Sequence, residues 1–331
     1  MQKKTILSWV LSLILVIIIV SLIDSKEVIK GITKIGLTNF VLLSAFYSIG
    51  YVFRALRWKA ILKPIARISL KESFFITNTG FLVNAVLPAR AGEIARAYIL
   101  AKKKNLGKIK SFSTVMLDRV IDGMTLFLFF VVSVIIIPVP EEFKAMLLVP
   151  ALIFLSAFAF FFKPDKFRFM AKPITAFFPS VKGKIEYVFH EVKESGKIFY
   201  SEKKQFFLVF FYSGIVWVVE ALLFYFTARI IGTELSLPLV FLLVVVTGFA
   251  AMIPSAPNYI GTFEAGFIVF FTAFGLSNNS AVSVAVTVHL IETVVILVLG
   301  VISMNRLGLS FKSFSEINFQ EIKNKRKVNQ K

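Results

Sequence analysis

Ser73–Leu87 reads SFFITNTGFLVNAVL, and the reading of this stretch decides the fold. It is apolar enough to enter a bilayer. Its fifteen residues fall short of the roughly 20 that a helix needs to cross a hydrocarbon core about 30 Å thick. It carries Asn78 and Asn84, stops at Pro88, and is bracketed by two basic loops, Arg54–Lys71 and Arg90–Lys110. A full crossing would put one of those segments on the outer side. A re-entrant hairpin that dips in and returns satisfies both the length and the charge.

Outward from this stretch the chain is of one kind. Of its 331 residues 57% are hydrophobic, with a mean hydropathy of +0.81, and 17% are charged against about 25% in soluble domains. Apolar runs predict spans at 6–23, 38–56, 114–137, 145–162, 206–231 and 281–303. A backbone in hydrocarbon must satisfy its own hydrogen bonds, so these runs are helices. No alternation of apolar and polar residues suggests a barrel. The net charge of +19 is clustered in Lys3–Lys4, Arg54–Lys71, Arg90–Lys110, the loop 163–205 and the tail 304–331, while Pro138–Lys144 and Gly232–Leu237 are acidic or neutral. That asymmetry places both termini in the cytoplasm of a multi-pass cell-membrane protein. The charge answers the anionic leaflet, not nucleic acid. Lys26, Lys30 and Lys34 then fall on the outer side, partly balanced by Asp24 and Glu27. The N-terminal run reads as an uncleaved span, because Asp24-Ser25-Lys26 offers no small-residue cleavage site. No Cys is present, which excludes disulfide and thiolate chemistry.

A second broken region lies within 238–276, interrupted by PSAPNYIGTFE (Pro254–Glu264). It is either two crossings or a second re-entrant pair. Thr79-Gly80-Phe81 leads to Pro88, Gly92 and Glu93; Thr247-Gly248-Phe249 leads to Pro257, Gly261 and Glu264 at similar spacing. Each region follows a long span and precedes one with buried charge, and the leading spans run in opposite directions. The expectation is an all-α polytopic membrane protein, one integral membrane domain over 1–331. It holds two inverted-topology repeats, about 38–137 and 206–303, with re-entrant broken helices.

Ionisable residues at membrane depth are functional candidates by default. Asp118 and Asp122, four apart with Arg119 between, share a helix face. They either line a cleft for a cationic group or proton, or form ion pairs with Arg90, Arg96 or Arg119 that lock helices together. Asn84, Arg90, Glu93 and Arg96 lie in NAVLPARAGEIAR, where Pro88 and Gly92 break the helix. Arg90 follows the break and suits a phosphate, whereas interfacial snorkelling is the stronger reading for Arg96. Glu264 mirrors Glu93. Glu220, His289 and Glu292 are candidates for proton handling or helix pairing. Arg54, Arg57 and Trp58 (RALRW) read as a cytoplasmic anchor. With two His and no Cys, no metal site is expected. The absence of HExxH, GxSxG and P-loop motifs leaves no catalytic residue and predicts a non-enzyme without cofactors.

Together RALRW, NAVLPARAGEIAR, LDRVID and PSAPNYIGTFE resemble the lysylphosphatidylglycerol synthase transmembrane (flippase-like) family over roughly 5–305. Asn84, Pro88, Arg90, Gly92, Glu93, Arg96, Asp118, Arg119, Pro257, Gly261 and Glu264 match best. The resemblance implies translocation or handling of lipids with charged headgroups, with membrane lipids as partners: anionic or aminoacylated phospholipid, or a polyprenyl-type lipid. Bifunctional members carry a cytoplasmic synthase domain; the tail ending at Lys331 is too short for one, so aminoacyl transfer is not expected. Two alternatives are a membrane enzyme or accessory subunit in lipid or glycolipid synthesis, and a secondary transporter of a soluble anion.

Overall fold

The computed structural model describes residues 13–87, 90–197, 203–253 and 255–310. Pro88, Pro254, most of the basic tail and the start of the first predicted span lie outside the described residues. Among those described, no strand occurs. A helix α1 (13–21) is followed by α2 (Ser25–Thr33), α3 (Gly36–Leu62), α4 (Leu70–Val86), α5 (Ala91–Lys104), α6 (Lys108–Ile136) and α7 (Glu141–Phe162). After short 3-10 turns and α8 (Lys172–Phe177) come α9 (Lys182–Ser195), α10 (Lys203–Ile231), α11 (Leu237–Ala250), α12 (Thr262–Ala273) and α13 (Asn278–Arg306).

Five of these, α3, α6, α7, α10 and α13, are long and apolar enough to cross a membrane. The chain is thus an all-α polytopic membrane protein. Helices α3 and α10 pack antiparallel: Lys34, just before α3, reaches the end of α10 at Ile231, Gly50 meets Val219, and Arg57 meets Ser213. The Lys34 contact explains a cation on the acidic side of the chain. Its Nζ donates to the Ile231 carbonyl at 2.7 Å, where a helix C-terminus leaves unpaired oxygens and partial negative charge. Asp24 accepts from Lys26 N at 2.8 Å as the cap of α2, and Glu27 bonds Asn279.

Ser73–Leu87 forms most of one arm of a helical hairpin. Helices α4 and α5, 17 and 14 residues long, rise only about 26 and 21 Å at 1.5 Å per residue. They form an antiparallel hairpin whose ends are tied by Lys104 Nζ to Glu72 at 3.1 Å. Its base sits beside the end of α3, where Ser73 Oγ donates to Ala55 O at 2.7 Å. Its arms touch through Gly80 and Gly92: a Cβ on Gly92 would strike the Gly80 carbonyl, and one on Gly80 would strike the Arg96 side chain. The region 238–276 is likewise a hairpin, of α11 and α12, with Gly266 against Thr247 and Ala250. Because α3 and α10 are antiparallel and each leads into a hairpin, the two hairpins enter from opposite ends of the bundle. Asn258 in the second tip bonds His289 and Thr293, at the middle of the 29-residue α13. Glu93 near the first tip faces Arg119, close to the middle of the 29-residue α6. Both tips therefore stop at mid-height.

Two sequence readings need correction. The segments Arg54–Lys71 and Arg90–Lys110 are not loops: α3 continues to Leu62, α5 runs through the second, and α6 begins at Lys108. Charge in those windows hid the helices because much of it is paired inside the protein. The RALRW anchor is overturned outright, since Arg57 and Trp58 are wholly buried and Arg54 nearly so.

Candidate functional site

A seam of arginines and carboxylates runs between α3, α5, α6 and α10. Arg57 is its centre: Nε donates to Asp118 Oδ1 at 2.8 Å, and Nη1 to Asp122 Oδ1 at 2.5 Å and to Ser213 Oγ at 2.9 Å. Arg96 Nη1 donates to Asp118 Oδ2 at 3.0 Å, and Arg119 Nη1 to Asp122 Oδ2 at 3.1 Å. Trp217 Nε1 adds a bond to Asp122 Oδ1 at 3.2 Å. Every carboxylate oxygen of the two aspartates is thus occupied by a charge-assisted donor. Arg96 does not snorkel; it is buried, with its guanidinium 4.4 Å from the centre of the Trp58 ring. A cation cannot remain at this depth unpaired, so Asp118 holds it.

Towards the first hairpin tip the seam opens. Glu93 lies 3.5 Å from Arg119 and 3.8 Å from Arg90. The Arg57 side chain is 1% exposed, against 20% for Arg119 and 29% for Arg90. Four guanidinium groups here meet three carboxylates, and the surplus positive charge falls at the open end. Arg90 itself is in the left-handed region, φ 55°, at a cost of order 1–3 kcal/mol. Its Nη2 donates to Ala251 O at 2.6 Å and its guanidinium lies 5.8 Å from the Tyr259 ring, so the first tip grips the second. Asn258 and Tyr259 there are also left-handed. Strained residues thus gather where the tips meet.

The Oδ1 of Asn84 accepts from Gly92 N at 2.7 Å, closing the start of α5. Asn84→Ala would leave that buried N–H without a partner at a cost of about 1–2 kcal/mol, read as a lowered melting temperature in detergent.

Glu264 occupies the third position of α12, as Glu93 does in α5. Its Oε2 accepts from Gly261 N at 2.8 Å and its Oε1 bonds His289 Nδ1 at 2.5 Å. His289 Nε2 meets Asn258 at 2.8–2.9 Å. Glu220 pairs with Arg54 at 3.0 Å and accepts from Tyr47 OH at 3.3 Å, and Glu292 lies one turn beyond His289 on α13, its Oε1 buried without a hydrogen-bond partner among the described residues. Arg54, Arg57, Ser213, Trp217 and Asn258 were missed as site residues in the sequence. The signal for the arginines was available: two aspartates four apart on a buried face demand cations, and the apolar pattern of RALRWKAIL continues past both.

Beside the second tip lies an apolar groove of about 520 Å³. Met146, Val149 and Ile153 of α7 form one wall; Phe249, Ala250 and Thr262 of the second hairpin form another. Ala250 precedes the residue whose carbonyl Arg90 holds. Among the described residues no cluster of His, Asp and Glu could hold a metal ion.

Fold and seam define a helical membrane protein with two opposed helical hairpins over a buried arginine–carboxylate network. Residues 6–300 match the family described as the lysylphosphatidylglycerol synthase TM region, and the chain belongs to that family. It is 27% identical over 324 residues to a UPF0104 membrane protein of Methanocaldococcus jannaschii, covering 91% of this chain and 94% of that one. A UPF0104 membrane protein of Pyrococcus horikoshii is 25% identical over 311 residues, 86% and 91% of the two chains. Glycosyltransferase AglD of Haloferax volcanii is 28% identical over 130 residues, 38% of this chain and 20% of that protein. No solved structure matches.

Proposed function

We propose that this protein moves lipids with anionic headgroups between the leaflets of the cell membrane, as a flippase-like translocator and not an enzyme. The observation that carries the reading is an apolar groove of about 520 Å³ that reaches Ala250, the residue before the carbonyl that Arg90 holds at the open end of the seam. A lipid needs this combination: an apolar channel for the tail and a cationic, partly open place for the phosphate. In this reading Arg90 and Arg119 meet the phosphate, Glu93 positions them, and Asp118 and Asp122 hold Arg57, Arg96 and Arg119 in place. Helices 38–137 and 206–303 act as inverted repeats of one domain, supported by hairpins that enter from opposite ends. The clustering of basic segments supports cytoplasmic termini.

The test is vesicle reconstitution with fluorescent phosphatidylglycerol, phosphatidylcholine or a polyprenyl phosphate, following headgroup access across leaflets. The anionic lipids should move faster than in protein-free vesicles. Arg90→Ala should slow them about tenfold or more, the worth of one charged hydrogen bond. Rates equal to empty vesicles for all three lipids would end the proposal, and phosphate uptake into the lumen would favour a soluble substrate instead. The match to AglD supports a second reading, an accessory role in handling polyprenyl-linked glycolipid; selective movement of the polyprenyl phosphate would favour it.

A further inference from the structure

Three prolines punctuate the stretch between α7 and α10. Pro164 opens a 3-10 turn (Pro164–Ala171), Pro173 sits in the first turn of α8, and Pro179 opens a second 3-10 turn (Pro179–Val181) ahead of α9. Proline starts helices and cannot continue them, so this stretch forms short helical pieces and not a crossing. Its large apolar side chains find no cover in the protein. Phe177 is 81% exposed, Phe178 63% and Phe169 62%, and Met170 and Ile174 are more than half exposed. Cations are interleaved with them: between Pro164 and Phe189 five Lys and Arg stand against two acids, Asp165 and Glu186. Arg168 takes both acids, each at 3.2 Å, and Lys193 adds a second bond to Asp165. Lys166, Lys172, Lys182 and Lys184 pair with no carboxylate among the described residues.

The stretch is held at one end of the bundle. It leaves α7 after Phe162 and leads to α10 at Lys203, and both of these helices are long and apolar enough to cross a membrane. Phe160 of α7 meets Phe167 and Phe189 edge-on, each at 5.6 Å, and Gly196 lies against the Phe161 carbonyl. Beside these contacts is an apolar pocket of about 510 Å³, with Phe160 on its α7 side and Met170, Ile174 and Val188 around it. Left in water, such an aromatic patch invites aggregation. Sunk in hydrocarbon, the lysines would be costly. One depth suits both, the boundary between headgroups and acyl chains, where apolar rings enter and lysines reach phosphates. We infer that residues 164–189 form an interfacial platform docked on an anionic leaflet. Phe169, Phe177 and Phe178 lie among its acyl chains, an acyl chain covers the apolar pocket, and Lys166, Lys172, Lys182 and Lys184 meet lipid phosphates. The occupant is a leaflet and not a soluble protein, because the stretch is tethered at both ends to bilayer-crossing helices and its spare charge is opposite to that of anionic lipid. The platform does not depend on the translocator reading.

The chain has no Cys, so Phe177→Cys gives the full protein a single thiol for a polarity-sensitive dye. The labelled protein is placed in lipid nanodiscs, which leave both membrane faces open to water. Glu141→Cys, at the exposed start of α7, is the reference. In phosphatidylglycerol the dye at position 177 should emit at shorter wavelength than at 141. It should be quenched several-fold less by acrylamide in the water, and several-fold more by a nitroxide on the acyl chain near the headgroup. Phe169→Cys repeats the measurement from the 3-10 turn, should Phe177→Cys fold poorly. Because the lysines add attraction only to an anionic surface, nitroxide quenching should be about twofold or more stronger in phosphatidylglycerol than in phosphatidylcholine. Replacing Lys166, Lys172, Lys182 and Lys184 together by Gln should erase that difference. A dye at 177 and 169 as open to acrylamide as at 141, the result expected of a face that docks a soluble partner, overturns the platform. Equal quenching in the two lipids with the lysines in place overturns its preference for an anionic leaflet.

Discussion

Arg57→Ala is expected to be the most damaging single change in the protein, because it strips one guanidinium from two buried aspartates at once. Asp118 keeps Arg96 and Asp122 keeps Arg119, yet one oxygen of Asp118 loses its only donor and Asp122 loses its closest one. Removing one partner of a buried ion pair costs about 3–5 kcal/mol, since the remaining charge stays out of water. The expected result is a protein that aggregates on extraction or melts well below the wild type in detergent, followed by tryptophan fluorescence. Arg57→Lys should behave almost as badly, because an ammonium cannot place Nε and Nη1 on two carboxylates together. Arg57→Met combined with Asp122→Asn removes one charge of each sign, leaves the Arg96–Asp118 pair intact, and should recover much of the loss. A melting temperature unchanged in Arg57→Ala would show that the seam contributes nothing to stability.

Gly92→Ala is expected to come next, by a steric and not an electrostatic route. A Cβ there would collide with the backbone carbonyl of Gly80 and stand 2.7 Å from Asn84 Oδ1. Neither neighbour can swing away as a long side chain would, since one is backbone and the other holds the Gly92 N–H. The arms of the first hairpin must part, at or above the upper end of the roughly 1–3 kcal/mol typical of overpacking. Arg96 rides on the same contact, because its side chain lies against Gly80, so the Asp118 pair is disturbed too. Gly214→Ala is the matched control. Nothing lies within 4 Å of its added Cβ, and replacing a mid-helix Gly should stabilise by up to about 1 kcal/mol. Equal melting of the two variants would refute the close contact between the hairpin arms.

Much of the fold was legible in the chain because the bilayer acts on local sequence. Hydrocarbon rewards uninterrupted apolar length and tolerates nothing but internally bonded backbone, so spans could be read from runs such as Phe206–Ile231. A stretch of fifteen residues between two basic segments could only turn back. Family membership was also legible, in the motifs around Gly92 and Gly261. Charge misled the reading wherever it was paired: Arg54 and Arg57 looked like an interfacial anchor because nothing near them in sequence shows an acid. Their partners are Glu220, 166 residues away, and Asp118, 61 residues away.

The sequence by itself determined that this is a helical membrane protein, that two of its apolar segments are broken, and that acids such as Asp118 and Asp122 sit within its helices. Each of these follows from a local transfer free energy. Only the tertiary structure decided which acid neutralises which base. It also decided that the hairpin tips grip each other through Arg90 and the Ala251 carbonyl. Pairing depends on distances between side chains from different helices, and low dielectric makes those few ångströms decisive.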